Sequence, residues 1–360
     1  MQKISTLKTI ITIALLSVFA LSAQTRKYSN EFLNIGVDAA AFGMGNAVTA
    51  TSNDVNSVYW NPAGLTDLED WQFSAMHASY FANIANYDYI AGAKPLDNRS
   101  AIGFSIIRFG VDDILNTTQL IDAQGNIDYN RISLFSTADY AFTLSYARSS
   151  LMSGFSYGVN AKVIRRIIGE FANAWGFGFD LGVRYTKNKW EFGAMARDIT
   201  TTYNTWTIDE NQFSSIQSAV PGQNQELPED TEITLPKLQM GVAYNFEINR
   251  DIDLKTAFNF NTRFAQTNDI FSNENLSISP AFGFQADYLD IVYLRGGLGN
   301  FQTVEQFDGS TNVGFQPNFG IGFKYKGIQI DYAFTDIGDQ GVGLYSNIFS
   351  IKVDWSMFRP

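Results

Sequence analysis

The chain has 360 residues, 45% of them apolar and 15% aromatic, with a formal charge of -11. That acidity, with no basic cluster to offset it, excludes nucleic acid as a partner. The lack of cysteine excludes a disulfide framework, a thiolate metal site and a lipid attachment site.

Lys3 and Lys8 precede a mostly apolar run over residues 10–21, and Ala23 offers a small residue for cleavage before Gln24. The pattern predicts a secretory signal peptide over residues 1–23, too short in its apolar part to span a bilayer. No later apolar run is long enough for a membrane helix, and the mean hydropathy is only -0.09. A transmembrane barrel tolerates that value, because only alternate residues face lipid.

Residues 24–70 do not alternate. They hold Gly36, Gly43 and Gly45, the small run Ala39, Ala40 and Ala41, and the sequence Trp60-Asn61-Pro62-Ala63-Gly64-Leu65. Asn53 or Asp54 can cap a short helix through Ser57. Asn61 followed by Pro62 is a second cap and first-turn signal, which Gly64 can end quickly. The segment is expected to be a compact plug or hatch inside or under a barrel.

From Trp71 to the end, residues 71–360, strands follow in series. Tyr140, Phe142, Leu144 and Tyr146 alternate with polar or small residues, and so do Phe177, Phe179, Leu181, Val183 and Tyr185. Further on, Phe319, Ile321, Phe323 and Tyr325 repeat the pattern, as do Phe349, Ile351, Val353 and Trp355. A strand turns successive side chains to opposite faces, so each of these has one apolar and one polar wall. With weaker candidates near Tyr89 and Val292, the count is about fourteen, within the range of single-chain outer-membrane barrels. Short turns near residues 95–98, 186–189, 289–290 and 326–327 alternate with long polar segments at 110–134, 199–235, 264–275 and 300–317. Such barrels carry short periplasmic turns and long extracellular loops. The fold class is therefore all-β, a transmembrane antiparallel β-barrel, and an even strand count places both termini in the periplasm. A secreted sandwich or propeller also alternates, but explains neither the two turn lengths nor the aromatic faces.

Several runs carry a resemblance: Phe32-Leu33-Asn34-Ile35-Gly36-Val37, Ala41-Phe42-Gly43-Met44-Gly45-Asn46-Ala47, Asn53-Asp54 and Tyr59-Trp60-Asn61-Pro62-Ala63-Gly64-Leu65. Together they resemble the PorV/PorQ family of Bacteroidetes, similar in turn to FadL-type barrels with an Asn-Pro-Ala hatch. The resemblance implies a fourteen-stranded barrel with its hatch at Gly43, Gly45, Asp54, Asn61, Pro62, Ala63 and Gly64. It also implies a role in type IX secretion, in which PorV binds the C-terminal signal domain of cargo and docks beside the giant translocon barrel.

His77 is the sole histidine and has no nucleophile signature around it, so no enzyme is expected. Residues 122–128 look loosely like a calcium loop but lack the acidic spacing and closing Glu, so neither metal nor cofactor is expected. Lumen-facing candidates are Asp180, Arg184, Glu191, Arg197, Arg295 and Asp331, expected to pair with each other or with the plug because an unpaired charge there is costly. Tyr203, Trp206, Phe213 and Ile216 suit a partner-binding loop. The leading expectation is a non-enzymatic docking or shuttle partner in type IX secretion. Its partners would be outer-membrane lipid, a secretion translocon and secreted cargo. The alternative is a FadL-like transporter of hydrophobic small molecules, which predicts an apolar pocket inside the wall and a strand break near Asn61.

Overall fold

The computed structural model describes residues 29–80, 84–121, 125–209, 231–305, 309–335 and 346–358. Its strands are β1 (Gln72–Tyr80), β2 (Ala85–Asp97), β3 (Ser100–Asn116), β4 (Ser133–Ser149), β5 (Phe155–Ile168) and β6 (Ala172–Lys187). There follow β7 (Trp190–Arg197), β8 (Thr202–Ile208), β9 (Thr231–Thr234), β10 (Lys237–Glu247), β11 (Ile252–Arg263) and β12 (Phe271–Ser272). The last are β13 (Ser277–Tyr288), β14 (Val292–Glu305), β15 (Thr311–Tyr325), β16 (Ile328–Thr335) and β17 (Ser346–Asp354).

Each strand pairs antiparallel with its neighbours, and β1 pairs with both β2 and β17, which closes the sheet. β8 prolongs β7 along β6, β9 leads into β10, and β12 is a two-residue piece, so the wall is a closed barrel of 14 strands. Closure leaves no strand edge with unpaired backbone groups facing lipid. The expected count and alternation are both present. On β6, Phe177, Phe179 and Leu181 point outward with 61%, 51% and 43% of their surface exposed, while Asp180 and Arg184 on the same strand are buried inside. Aromatic side chains gather at both ends of the outer wall. Trp190 and Tyr244 meet at 4.7 Å at the short-turn rim, and Phe301 and Phe315 at 6.0 Å near the other. Rings with one apolar and one wet edge favour such interfaces.

The rim with short turns includes Leu289 and Asp290 at φ 55° and 53°, and Lys326 and Gly327 at φ 48° and 83°. Two consecutive positive φ values give a hairpin turn the twist its strands need. At the opposite rim the expected loop boundaries need correction. The 110–134 segment is strand as far as Asn116 and again from Ser133, and the 300–317 segment is strand through Glu305 and from Thr311. Beyond the bilayer a strand pair gains ladder hydrogen bonds without a lipid-facing side, so nothing forces the alternation that marks the spanning part.

Gln72 and Asp354 face each other across β1 and β17 at the short-turn rim, so the two ends of the barrel share one side. The chain before the barrel starts elsewhere. Ser29, the first described residue, donates to Glu232 of β9 at 2.9 Å, towards the long-loop rim. Residues 29–70 therefore thread the lumen from the long-loop side to the short-turn side.

This segment also accounts for an apolar part of the lumen that the alternation had not suggested. Tyr80, Tyr87, Tyr89 and Ile107 of β1 to β3 face inward and are buried against Phe32, Leu33, Val58 and Leu65 of the hatch. One sector of the inner wall is thus a hydrophobic core, and the remainder is polar.

Candidate functional site

The hatch is built from short turns, each with its own local cause. The helical turn Ala39–Gly43 is capped by Asp38, whose carboxylate accepts from the Ala40 amide at 3.3 Å. Asp54 accepts from the Asn56 amide at 2.9 Å, and Asn56 then opens the turn Ser57–Trp60. Asn61 is extended and its side-chain oxygen accepts from the Ala63 amide, which starts the 3-10 turn Pro62–Asp67 with Pro62 at its first position. Proline suits that position because its missing N–H has no partner there in any case. Tyr59 donates to the Leu33 carbonyl at 2.6 Å and Trp60 to the Val37 carbonyl at 3.0 Å, folding the segment back on itself.

The Asn61-Pro62-Ala63 element is clamped to the wall. The Asn61 amide donates to the carbonyls of Thr49 at 3.0 Å and of Val183 on β6 at 3.1 Å. Ser156 of β5 donates to the Ala63 carbonyl at 3.0 Å. Beneath it lie two wall glycines whose absent side chains make the room: a methyl at Gly158 would sit 2.7 Å from the Pro62 carbonyl carbon, and one at Gly182 would overlap the Asn61 side chain. Gly193, Gly283 and Gly297 give the same close approach to Thr49, Met44 and Gly45. Gly45 itself needs glycine for a second reason, its φ of +63°.

All six lumen-facing candidates point inward, each no more than 5% exposed. They form separate clusters. Arg184 donates to Glu191 at 2.9 Å and to the hatch, reaching the Ala50 carbonyl at 2.8 Å and the Asp67 carboxylate. Arg295 pairs with Asp331 across the wall at 2.6 Å. Asp180 pairs with Lys162 at 2.8 Å. Arg197 meets no carboxylate among the described residues. It donates to the hatch carbonyls of Leu33 at 3.3 Å and Tyr59 at 2.7 Å and lies 4.2 Å over the Tyr59 ring. A further pin, Lys352, bonds Asp54 and lies 3.9 Å from Asp38. Burial pushes the Asp38 carboxyl above its usual value, and the charge of Lys352 opposes that rise. Sequence reasoning missed Asp38 and Asp67 as partners, because no spacing along the chain brings these hatch carboxylates to Lys352 and Arg184.

Lumen cavities remain beside the hatch, of which three matter here. One of about 390 Å³ lies at the long-loop end and one of about 350 Å³ at the short-turn end, with about 170 Å³ between hatch and wall. Amides and charges line all three, and the long-loop cavity also has apolar surface from Leu235, Pro236 and Ala265. The strand breaks adjoin Asp198 and Pro236, where β7 gives way to β8 and β9 to β10, whereas Asn61 touches β6 at Val183.

Of the partner-binding candidates, Tyr203 and Trp206 lie on β8 and not in a loop, because that stretch continues the ladder with β6. Tyr203 is 55% exposed, and Trp206 lies under Arg166 at 5.1 Å. Phe213 and Ile216 lie outside the described residues, as do the signal-peptide segment and residues 122–124 of the loose calcium-like loop. His77 faces outward and contacts Asp88 at 2.7 Å. Among the described residues no three acidic or imidazole groups gather as a metal site.

Residues 22–269 match the family described as Type IX secretion system protein PorV. The chain belongs to the PorV family. No curated protein sequence matches it. In fold it is similar to the toluene transporter TodX of P. putida, with a TM-score of 0.53 at 12% identity over 89% of this chain and 99% of that one. It is likewise similar to the toluene transporter TbuX of Ralstonia pickettii, with a TM-score of 0.51 at 11% identity over 89% of this chain and 98% of that one. Likeness at such identities shows the fold alone. Barrel and family together make this PorV-family chain an outer-membrane protein.

Proposed function

We propose that this protein is a non-enzymatic docking or shuttle partner in type IX secretion, binding protein at its long-loop rim. Family membership supports the pathway. The observation that supports the mode is the ribbon formed by β3 and β4. Each strand has 17 residues, whereas about 9–11 suffice to cross a bilayer. The surplus stands clear of the membrane and carries Leu115, Tyr129 and Leu134, which are 63%, 72% and 59% exposed. Large apolar side chains displayed in water, beyond the lipid band, are the composition of a contact surface. Tyr203 on β8 adds to the same rim.

A lumen threaded by the hatch does not suit the passage of a folded protein, so cargo would be handled from outside the wall. The transport alternative draws support from the fold, but the charged side chains that line the cavities beside the hatch count against a hydrophobic substrate. The test is complementation of a deletion strain with Leu115→Ser/Tyr129→Ser/Leu134→Ser. Export of proteins bearing C-terminal signal domains is expected to fall while the amount of barrel in the outer membrane stays constant. Normal export with the triple variant would rule out the ribbon as the contact.

A further inference from the structure

Among the described residues most inward cations of this barrel are matched by a carboxylate, and three adjacent ones are not. Lys237 on β10 sits directly opposite Arg197 on β7 and opposite Arg263 on β11. Like charges at directly opposed positions repel and destabilise the pair of strands that carries them. Arg197 is satisfied by hatch carbonyls, Lys237 has only the Asn34 side chain at 2.5 Å, and Arg263 has no hydrogen bond or ion pair among the described residues. The nearby carboxylates are engaged elsewhere: Asp198 with Lys162 at 2.7 Å, Glu31 with Asn34 at 2.8 Å, and Asp269 with Thr267 at 2.7 Å.

Lys237 and Arg263 both line the 390 Å³ cavity at the long-loop end and the 170 Å³ cavity beneath it. The lower cavity has no carboxylate in its lining, and its side-chain donors include the amides of Gln239 and Asn261. The Nε of Arg263 and of Arg197 are buried and unpartnered. Three like charges on adjacent strands, two of them facing an open cavity, destabilise the fold, and an anion between them would relieve that repulsion. We propose that this pocket binds a phosphate monoester, with its phosphoryl group between Lys237 and Arg263. A compact dianion matches clustered cations better than a monocarboxylate does. A guanidinium fork with an ammonium point charge can serve three terminal oxygens at once. The larger cavity above falls at the small end of small-molecule sites and leaves space for the alcohol part. This inference is independent of the secretion reading, since it concerns the lumen and not the rim.

The test is calorimetric titration of the detergent-purified full chain with glycerol 3-phosphate and, separately, with dioctanoyl phosphatidic acid, at constant ionic strength. Binding of both with equal affinity identifies a soluble phosphate ester as the ligand, and tighter binding of the second identifies a lipid headgroup. Lys237→Met and Arg263→Met are each expected to weaken binding at least tenfold, since each removes a charge-assisted bond. Lys237→Met is also expected to raise the melting temperature of the ligand-free protein, by relieving repulsion on both sides. Failure of both phosphates to bind wild type overturns the proposal. So does unchanged affinity in both variants, or a fall in the melting temperature of Lys237→Met, which would mark the lysine as purely structural.

Discussion

Replacing Gly158 with alanine should loosen the hatch without opening the barrel. The added methyl would lie 2.7 Å from the Pro62 carbonyl carbon and 2.8 Å from the Ala63 nitrogen. Both are backbone atoms, so no flexible side chain can swing aside. The wall cannot yield either, because β5 is paired along its length with β4 and β6. The hatch must move, and the Ser156 bond to the Ala63 carbonyl at 3.0 Å goes with it. Overpacking of this kind costs about 1–3 kcal/mol, and the lost hydrogen bond about 1 kcal/mol. Docking of the Asn61-Pro62-Ala63 element should weaken by about 2–4 kcal/mol, or roughly 30- to 700-fold. Amide hydrogen exchange at Ala63 and Gly64 should accelerate by about that factor, while exchange in β5 and β6 and the heat-shift of the folded barrel on a denaturing gel stay unchanged. Ser156→Ala should show only the smaller part of the effect. Unaltered exchange at Ala63 in Gly158→Ala would refute the view that wall glycines clamp the hatch.

Other substitutions probe the remaining contacts. Arg295→Met should destabilise the barrel by about 3–5 kcal/mol by stranding Asp331, and Arg295→Met/Asp331→Leu should recover most of it in urea unfolding from lipid vesicles. Phe179→Arg, at an outward position that is 51% exposed to the surroundings of the wall, should cost about 2–4 kcal/mol near the bilayer midplane and slow insertion into vesicles. Lys352→Met should release the hatch at Asp54 and Asp38, seen as protease cleavage between residues 38 and 54 with the barrel intact.

How much of this was legible in the sequence follows from where lipid imposes a rule. Strands such as β6 and β17 were visible because every second residue had to be apolar, and the turns at Leu289 and Lys326 because they interrupt that rhythm. The Asn61-Pro62 turn was visible because cap and proline act locally. The outer extensions of β3, β14 and β15 were not, since strand pairing in water needs no alternation. The inward Tyr87 and Tyr89 were also hidden: an aromatic residue facing the hatch is indistinguishable by pattern from one facing lipid. Lumen positions such as Arg184 and Lys352 followed from strand parity, yet their hatch partners could not, because Asp67, Asp54 and Asp38 reach the wall by the path of the hatch and not by spacing. The triad of Arg197, Lys237 and Arg263 depends on the register between three strands, which no single strand records.

The central claim, a hatch-closed outer-membrane barrel that serves type IX secretion through its long-loop rim, is met most directly by a pull-down of the tagged protein. It would be drawn in mild detergent from its native outer membrane, with bound proteins and lipids read by mass spectrometry. Recovery of a giant secretion barrel or of exported proteins with C-terminal signal domains is expected, as is their loss in the Leu115, Tyr129 and Leu134 variant. Recovery of the barrel alone, carrying a reproducible apolar molecule, would contradict the claim.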